Sequence, residues 1–440
     1  MGYRRLQKIE TGRALRALMC AFTAAFAVAA LLSPDRARML TALRRICTAP
    51  AQLTRDYFKP ELGGVSGAML NCALVGSVCC GMMFLPGAQV NGGTVLAFFL
   101  TVGFGTYGMN ILNMLPLLLG AFVYARIRRV PFSKQINMAM FTTAISPLIT
   151  QILFYYPRMG DAPAFSWTGL LLALVVGLVA GCAMPALCAH SPGLHKGFDL
   201  YNAGPAAGFL CFFLYALLYR TAGVEAPAIG ADLGMGERAF VNGFCLTAFA
   251  LTAACGLLLG GVKDYIKLLR EIGYKADFTQ KYAAGANVLH VGVYGLFIIA
   301  YYNLIGATFT GPTMGAVFCM LACCCAGATP LNVLPVMLGY GVMGLLHRLG
   351  VTAYALNAQA IVVGLCFASG LAPISGVYGP VAGAVAAMMH YALVTGLPVL
   401  HGGFNLYNGG FTAGIVCFLF VPVLEHFFPS ADRRGVDRPR

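Results

Sequence analysis

The chain has 440 residues, 59% of them hydrophobic and 10% charged, with a mean hydropathy of +0.78; this excludes a soluble globular domain and describes a polypeptide that is mostly embedded in a lipid bilayer. A net charge of +14 would suit nucleic acid, but the basic residues gather beside apolar runs, around 36–45, 126–134 and 263–281. That placement makes them topology signals and contacts to anionic lipid, and nucleic acid is not expected as a partner.

Taken in order, apolar runs long enough to cross a membrane lie near 15–32, 65–85, 93–124, 136–155, 167–188, 204–219, 240–260, 286–305, 312–346, 353–371, 377–399 and 410–424. They predict an all-α polytopic transmembrane bundle of about 11–12 crossings. The first run follows a basic start that includes Arg4, Arg5 and Lys8 but has no small-residue cleavage site, so it reads as a retained helix. The run 93–124 would make a helix of about 48 Å against a hydrocarbon core of about 30 Å. It contains Gly103, Gly105, Gly108 and Pro116, and predicts a discontinuous or kinked element; 312–346, with Gly327, Pro330 and Pro335, predicts another.

One stretch occurs twice. His195-Lys196-Gly197-Phe198-Asp199-Leu200-Tyr201-Asn202 and His401-Gly402-Gly403-Phe404-Asn405-Leu406-Tyr407-Asn408 sit inside segments in which roughly thirteen of about twenty-one positions agree. A second match, at a shift of 219, aligns Gly92 with Gly311, Gly108 with Gly327, and Asn113-Met114-Leu115-Pro116 with Asn332-Val333-Leu334-Pro335. The chain therefore reads as two homologous repeats: an N-terminal helix and basic segment (1–55), a first membrane repeat (56–220), a connecting loop, helix and basic segment (221–274), a second membrane repeat (275–425) and a polar tail (426–440). Each repeat is preceded by basic residues and carries a matched arginine, Arg129 or Arg348. If these segments share one side, the repeats have the same orientation, and the connecting loop with Glu225, Asp232 and Glu237 lies across the membrane.

The duplicated stretch places His, Asp or Asn, Tyr and Asn just ahead of an apolar run. Asn202 and Asn408 stand where an N-cap is expected, and the start of a helix inside a membrane protein offers unpaired N–H donors and a positive dipole end. Tyr201, Asn202, Tyr407, Asn408, Asn113 and Asn332 are therefore the candidate solute-binding residues; for the last two, satisfying backbone freed by the broken helix is an equal reading. Asp199, opposite Asn405 in the other copy, is an ionisable group next to a spanning segment, and with His195 and His401 forms a candidate proton or ion relay. Sixteen cysteines lie mostly within apolar runs, where they pack helices, and Cys323-Cys324-Cys325 cannot direct three thiolates at one ion from a regular helix. No metal, no cofactor and no catalytic residue is expected, and the chain is not expected to be an enzyme.

The paired motif with the Asn-x-Leu-Pro runs resembles an uncharacterised family of bacterial integral membrane proteins known by a domain-of-unknown-function label. The likeness runs from about residue 55 to 425 and implies a multi-pass protein of the bacterial inner membrane; it carries no established activity. The residues favour a transporter or channel for a small polar or anionic solute, with its site between the repeats. The alternatives are an intramembrane enzyme acting on a lipid-linked substrate and a membrane scaffold or sensor. Whether the chain forms a homo-oligomer stays open.

Overall fold

A computed structural model describes residues 10–157, 162–229 and 238–428; Arg4, Arg5, Lys8, Asp232, Glu237 and the tail beyond 428 lie outside the described residues. Among the described residues the regular structure is helical. The first half comprises α1 (Thr11–Leu32), short α2 (Met39–Thr48), α3 (Gly64–Met83), α4 (Gly92–Phe104), α5 (Leu115–Ile127), α6 (Ile136–Thr142) continued by α7 (Ser146–Phe154), α8 (Trp167–His190) with one-turn α9 (Pro192–His195), and α10 (Gly204–Tyr215). The second comprises α11 (Arg238–Leu258), α12 (Val262–Leu268), one-turn α13 (Phe278–Lys281), α14 (Ala284–Ile305), α15 (Gly311–Ala322), α16 (Pro330–Arg348), α17 (Gln359–Ala368) continued by α18 (Ala372–Tyr378), α19 (Pro380–Val394) and α20 (Asn408–Phe427). Among the described residues nine helices are long and apolar enough to cross a membrane, and shorter apolar helices lie among them. The protein is a multi-pass membrane protein.

The long runs 93–124 and 312–346 each divide into two helices. Between α4 and α5 the chain turns through Gly108 (φ 73°), and between α15 and α16 through Gly327 (φ 137°), conformations that a side chain would resist. Pro116 and Pro330 then sit in the first turn of α5 and α16, where a missing N–H costs nothing.

The repeat reaches further toward the N-terminus than sequence identity shows. α1 packs antiparallel on α3, with Thr23 Oγ1 3.4 Å from Cys80 Sγ and Asp35 Oδ1 accepting from Ser66 N–H at 3.0 Å. α11 packs on α14 in the same way: a methyl group on Gly256 would meet Leu289, and one on Gly292 would meet Ala253. Thus α1 and α2 correspond to α11 and α12, within stretches that the sequence assigns to an N-terminal segment and a connector.

The two repeats are inverted, which corrects the parallel arrangement expected from charge. A methyl group on Gly92, at the start of α4, would lie 2.8 Å from the Cys325 carbonyl just past α15, and one on Gly311, at the start of α15, 2.3 Å from the Thr106 carbonyl just past α4. α4 and α15 are equivalent helices, and they run antiparallel. The same holds for α1 and α11, where Phe22 meets Phe249 (6.1 Å between ring centres) while the later Phe26 meets the earlier Phe244 (5.3 Å). It holds again for α10 and α20, where Gly208 faces Phe411 and Pro205 faces Gly414. Helices related by an axis along the membrane normal would run parallel; antiparallel equivalents require an axis in the membrane plane. Counting α6–α7 as one element and α8–α9 as another, each repeat contains seven principal membrane elements, α1, α3, α4, α5, α6–α7, α8–α9 and α10 in the first. An odd number carries the chain to the opposite face, so the second repeat begins upside down. Charge does not distinguish the two arrangements, because basic residues occupy the equivalent loops 36–59 and 263–281, which this inversion places at opposite ends of the bundle. We call the end holding 269–283 and the start of α4 the near end, and the end holding 50–63 and the start of α15 the far end.

Candidate functional site

The duplicated motif folds into the same turn twice. Lys196 and Gly197 (φ 51° and 89°), like Gly402 and Gly403 (φ 60° and 75°), are left-handed, which reverses the chain after the histidine and explains the shared glycine. In the first copy His195 Nδ1 accepts from Gly197 N–H (3.1 Å), so Nε2 carries the proton and donates to Asn202 Oδ1 (2.9 Å). In the second, His401 Nδ1 accepts from Asn405 N–H (3.4 Å) and Nε2 donates to Asn408 Oδ1 (3.0 Å). Both rings are thereby fixed as neutral tautomers that brace the turn. Asp199 Oδ1 and Asn405 Oδ1 each accept from the amide two residues on, Tyr201 N–H at 2.8 Å and Tyr407 N–H at 3.0 Å. The two turns bring Tyr201 and Tyr407 edge to face, 5.6 Å between ring centres, at the contact of α10 with α20. Tyr201 Oη donates to the Cys319 carbonyl (2.8 Å); Tyr407 Oη is buried with no hydrogen-bond partner among the described residues.

The predicted solute-binding residues are therefore not one open constellation. Asn113 accepts from Asn110 N–H (2.9 Å) and donates to the Gly108 carbonyl (3.0 Å) and Thr150 Oγ1 (2.8 Å). Asn332 accepts from Thr329 N–H (2.8 Å) and donates to the Gly327 carbonyl (2.9 Å). Both satisfy the backbone released by the break, which was one of their two readings. Asn408 also donates to the Val394 carbonyl (3.0 Å). His290 and His390, also in apolar runs, bond the Ala328 carbonyl (2.9 Å) and the Gly409 carbonyl (2.9 Å), and so join helices.

The sequence reading overlooked a reciprocal contact between repeats. At the far end Asp56 Oδ1 accepts from Gly311 N–H (2.6 Å), the first amide of α15. At the near end Gly92 N–H, the first of α4, donates to Thr279 Oγ1 (3.1 Å), which donates to Asp277 Oδ1 (2.6 Å). Asp56 and Asp277 stand 221 residues apart, so each repeat places an acidic cap on the other's half-helix. The capping boxes Asn91–Thr94 and Thr310–Thr313 complete these starts, and Thr329–Asn332 caps α16 in the same way. An Asn or Thr, two residues, then a Thr or Asn was the available signal.

The two ends differ. At the far end Leu53 N–H donates to the Gly403 carbonyl (2.8 Å) and Gln52 Nε2 to the Gly402 carbonyl (2.9 Å), and every residue from 401 to 408 is buried. At the near end the corresponding loop touches the motif through Tyr274 Oη and the Lys196 carbonyl (3.1 Å), while Lys196 pairs with Glu425 at the end of α20. A cleft of about 650 Å³ opens there, lined by Gly92, His195, Lys196, Asp199, Asn202, Lys275, Ala276, Asp277, Ala326 and Glu425 among others. Of the sequence candidates it gathers His195, Asp199 and Asn202; Tyr201 and Tyr407 form the buried tyrosine pair, and His401 and Asn408 are buried within the second copy of the turn. Asp199 is 3% exposed, and its Oδ2 has no hydrogen-bond partner among the described residues. It lies in the connection between α9 and α10, outside the spanning helices, where burial pushes its carboxyl up to about 8 against the opposing effect of the Tyr201 N–H. Cys323, Cys324 and Cys325 are buried in a 3₁₀ turn. No group of three or more His, Cys, Asp or Glu side chains among the described residues is placed to share a metal ion.

No curated protein and no solved structure matches the chain. A family model described as a protein of unknown function (DUF1576) matches residues 35–220 and 260–426. The matched segments contain α2 to α10 and α12 to α20, one in each inverted repeat, and the chain belongs to this family.

Proposed function

We propose that the protein is a secondary transporter for a small polar or anionic solute, in the cytoplasmic membrane of a bacterium, that works by alternating access between its two repeats. The observation that carries this reading is the asymmetry between equivalent ends. Inverted repeats can exchange conformations, so an open cleft at the near end and a sealed equivalent at the far end are what one state of such a cycle looks like. The tyrosine pair, with the first turns of α10 and α20, forms the barrier between them. Backbone broken at membrane depth is tolerated where it is buried or lines a cavity; here the break after α15 contributes Ala326 to the cleft, and α4 contributes its first residues, Gly92 and Gly93. A solute entering from the near end meets Lys275 as a positive partner and Asp199 as an acceptor, while the first amide of α4 is already held by Thr279.

The test uses purified protein in detergent and a panel of small polar metabolites, followed by exchange assays in proteoliposomes. A ligand present at one hundred times its dissociation constant stabilises the folded state by about 2.7 kcal/mol. A solute of this class is expected to raise the unfolding midpoint of the wild type and to exchange across the bilayer, and to do neither for Ala276→Trp, which fills the cleft mouth. If no small polar solute stabilises or exchanges, or if Ala276→Trp binds and exchanges like the wild type, the reading is wrong.

A further inference from the structure

Asp199 and Asn405 occupy equivalent places in a fold that is otherwise closely repeated, and each uses its Oδ1 for the same bond to the amide two residues on. The remaining atom, Asp199 Oδ2 or Asn405 Nδ2, is buried and unpartnered among the described residues in both copies. The repeat thus builds one pocket for a side-chain atom twice and places an ionisable group in one. The environment is that of a neutral group: Cys323, Cys417 and Tyr407, the titratable side chains near enough to feel a charge on Asp199, are each fully buried. The charged groups belong to the cleft wall above: Lys196, paired with Glu425, Lys275, set 5.0 Å from the Tyr274 ring, and Asp277, which holds Thr279. His195, the nearest histidine in the sequence, is committed to Gly197 and Asn202. Yet Asp199 is one of the residues that line the cleft open at the near end.

We propose that Asp199 is the single proton-binding site of the transport cycle: Oδ2 takes one proton from cleft water, the neutral carboxylic acid crosses the barrier state, and the proton is released to the opposite face when the far end opens. The inference rests on the transporter reading and gives it its driving ion. Bond making and breaking are limited to one O–H formed on the carboxylate and later returned to water, so one positive charge moves per proton carried. A metal cation is a poorer occupant, because among the described residues no group of three or more His, Cys, Asp or Glu side chains gathers at Asp199, and a hard cation takes six or more oxygen ligands. The raised proton affinity that burial gives this carboxyl agrees with occupation by a proton near neutral pH. Asn405 holds a permanently neutral amide at the equivalent point, so the cycle carries one proton and not two.

Two arms separate this proposal from the reading beneath it. In the first, infrared spectra of the full-length protein in lipid are recorded as a function of pH, for wild type, Asp199→Asn and Asn405→Asp. The wild type is expected to show a protonated-carboxyl band that titrates with a midpoint of about 8. Asp199→Asn, which copies the other repeat, loses it; Asn405→Asp, which leaves Asp199 in place, adds a second carboxyl band. In the second arm, proteoliposomes are given an inward proton gradient or an inward sodium gradient: the wild type accumulates solute with protons, and Asp199→Asn does not. A titrating band that survives in Asp199→Asn, no such band in the wild type, or accumulation driven by sodium alone overturns the proton site and leaves transport standing. An Asp199-dependent band in a protein that exchanges no solute overturns the transporter reading instead.

Discussion

Replacing Gly315 by alanine places a methyl group where the two inverted half-helices cross. The added carbon would lie 2.4 Å from the Gly103 carbonyl oxygen and 2.5 Å from both Thr106 Oγ1 and Tyr107 Cε1, against ordinary contacts of 3.4–4 Å, so α4 and α15 must separate by about 1 Å. Two of the three obstacles are the backbone of a helix and a side chain tied to it, and neither can swing away. Thr106 Oγ1 also donates to the Gly311 carbonyl at 2.6 Å, a bond that the separation would stretch. Overpacking costs about 1–3 kcal/mol and a lost buried hydrogen bond about 1 kcal/mol, so Gly315→Ala is expected to destabilise by roughly 2–4 kcal/mol. Gly341 in α16, with nothing within 4 Å of its added methyl, is the control, and Gly341→Ala should be neutral or slightly stabilising. The assay is reversible unfolding in mixed detergent micelles, with both variants measured beside the wild type. Equal tolerance of the two substitutions would refute the close antiparallel crossing.

Three further outcomes follow from the site. A double-mutant cycle between His195→Phe and Asn202→Ala is expected to give a coupling of about 1 kcal/mol in unfolding free energy, and the His401→Phe, Asn408→Ala cycle the same; zero coupling in either would contradict the braced turn. Asp56→Ala removes the acceptor for the first amide of α15 and should cost about 1–2 kcal/mol by the same assay, whereas Asp56→Asn, which keeps an oxygen, should cost less; equal losses would remove the cap from the account. Burial raises the Asp199 carboxyl from an ordinary 3.8 to about 8, so between those values the folded chain keeps a proton that the unfolded chain has lost. Its contribution to stability is therefore fully present below about pH 4, declines as pH rises, and is gone above about 8. Unfolding midpoints across this range should fall less steeply for Asp199→Asn than for wild type, and parallel curves would show that Asp199 does not titrate there.

Much of this architecture was legible in the chain, and the misses have physical causes. The paired His-x-Gly-Phe stretches and the matched glycines 108 and 327 exposed the duplication, because a left-handed turn tolerates few residues besides glycine. The breaks at 93–124 and 312–346 followed from length. The equivalence of α1 and α11 left no comparable trace, since helices that pack through scattered apolar and small residues keep a pattern and lose identity. Orientation was misjudged because loops of both repeats are basic, and a charge rule cannot separate two ends that carry the same sign. Asn113 and Asn332 stand beside the breaks in sequence, but sequence position does not reveal that their amides are consumed by the carbonyls of Gly108 and Gly327. Asp199 stood out because it differs from its twin. Asp56 and Asp277 did not, since in sequence they resemble ordinary loop acids.

The inversion of the two repeats underlies both the burial of the second motif at the far end and the proposed cycle, and sidedness tests it directly. Glu61, in a turn, and Gln280, in one-turn α13, are exposed residues that inversion places at opposite ends of the bundle. Single cysteines at these positions, in a chain whose incompletely buried Cys20, Cys47, Cys182 and Cys255 are replaced by serine, would be labelled with a membrane-impermeant maleimide in right-side-out and inside-out vesicles. The account predicts that Glu61→Cys reacts in one vesicle orientation and Gln280→Cys in the other. Reaction of both cysteines from the same side would contradict inverted repeats and, with them, the alternating-access reading.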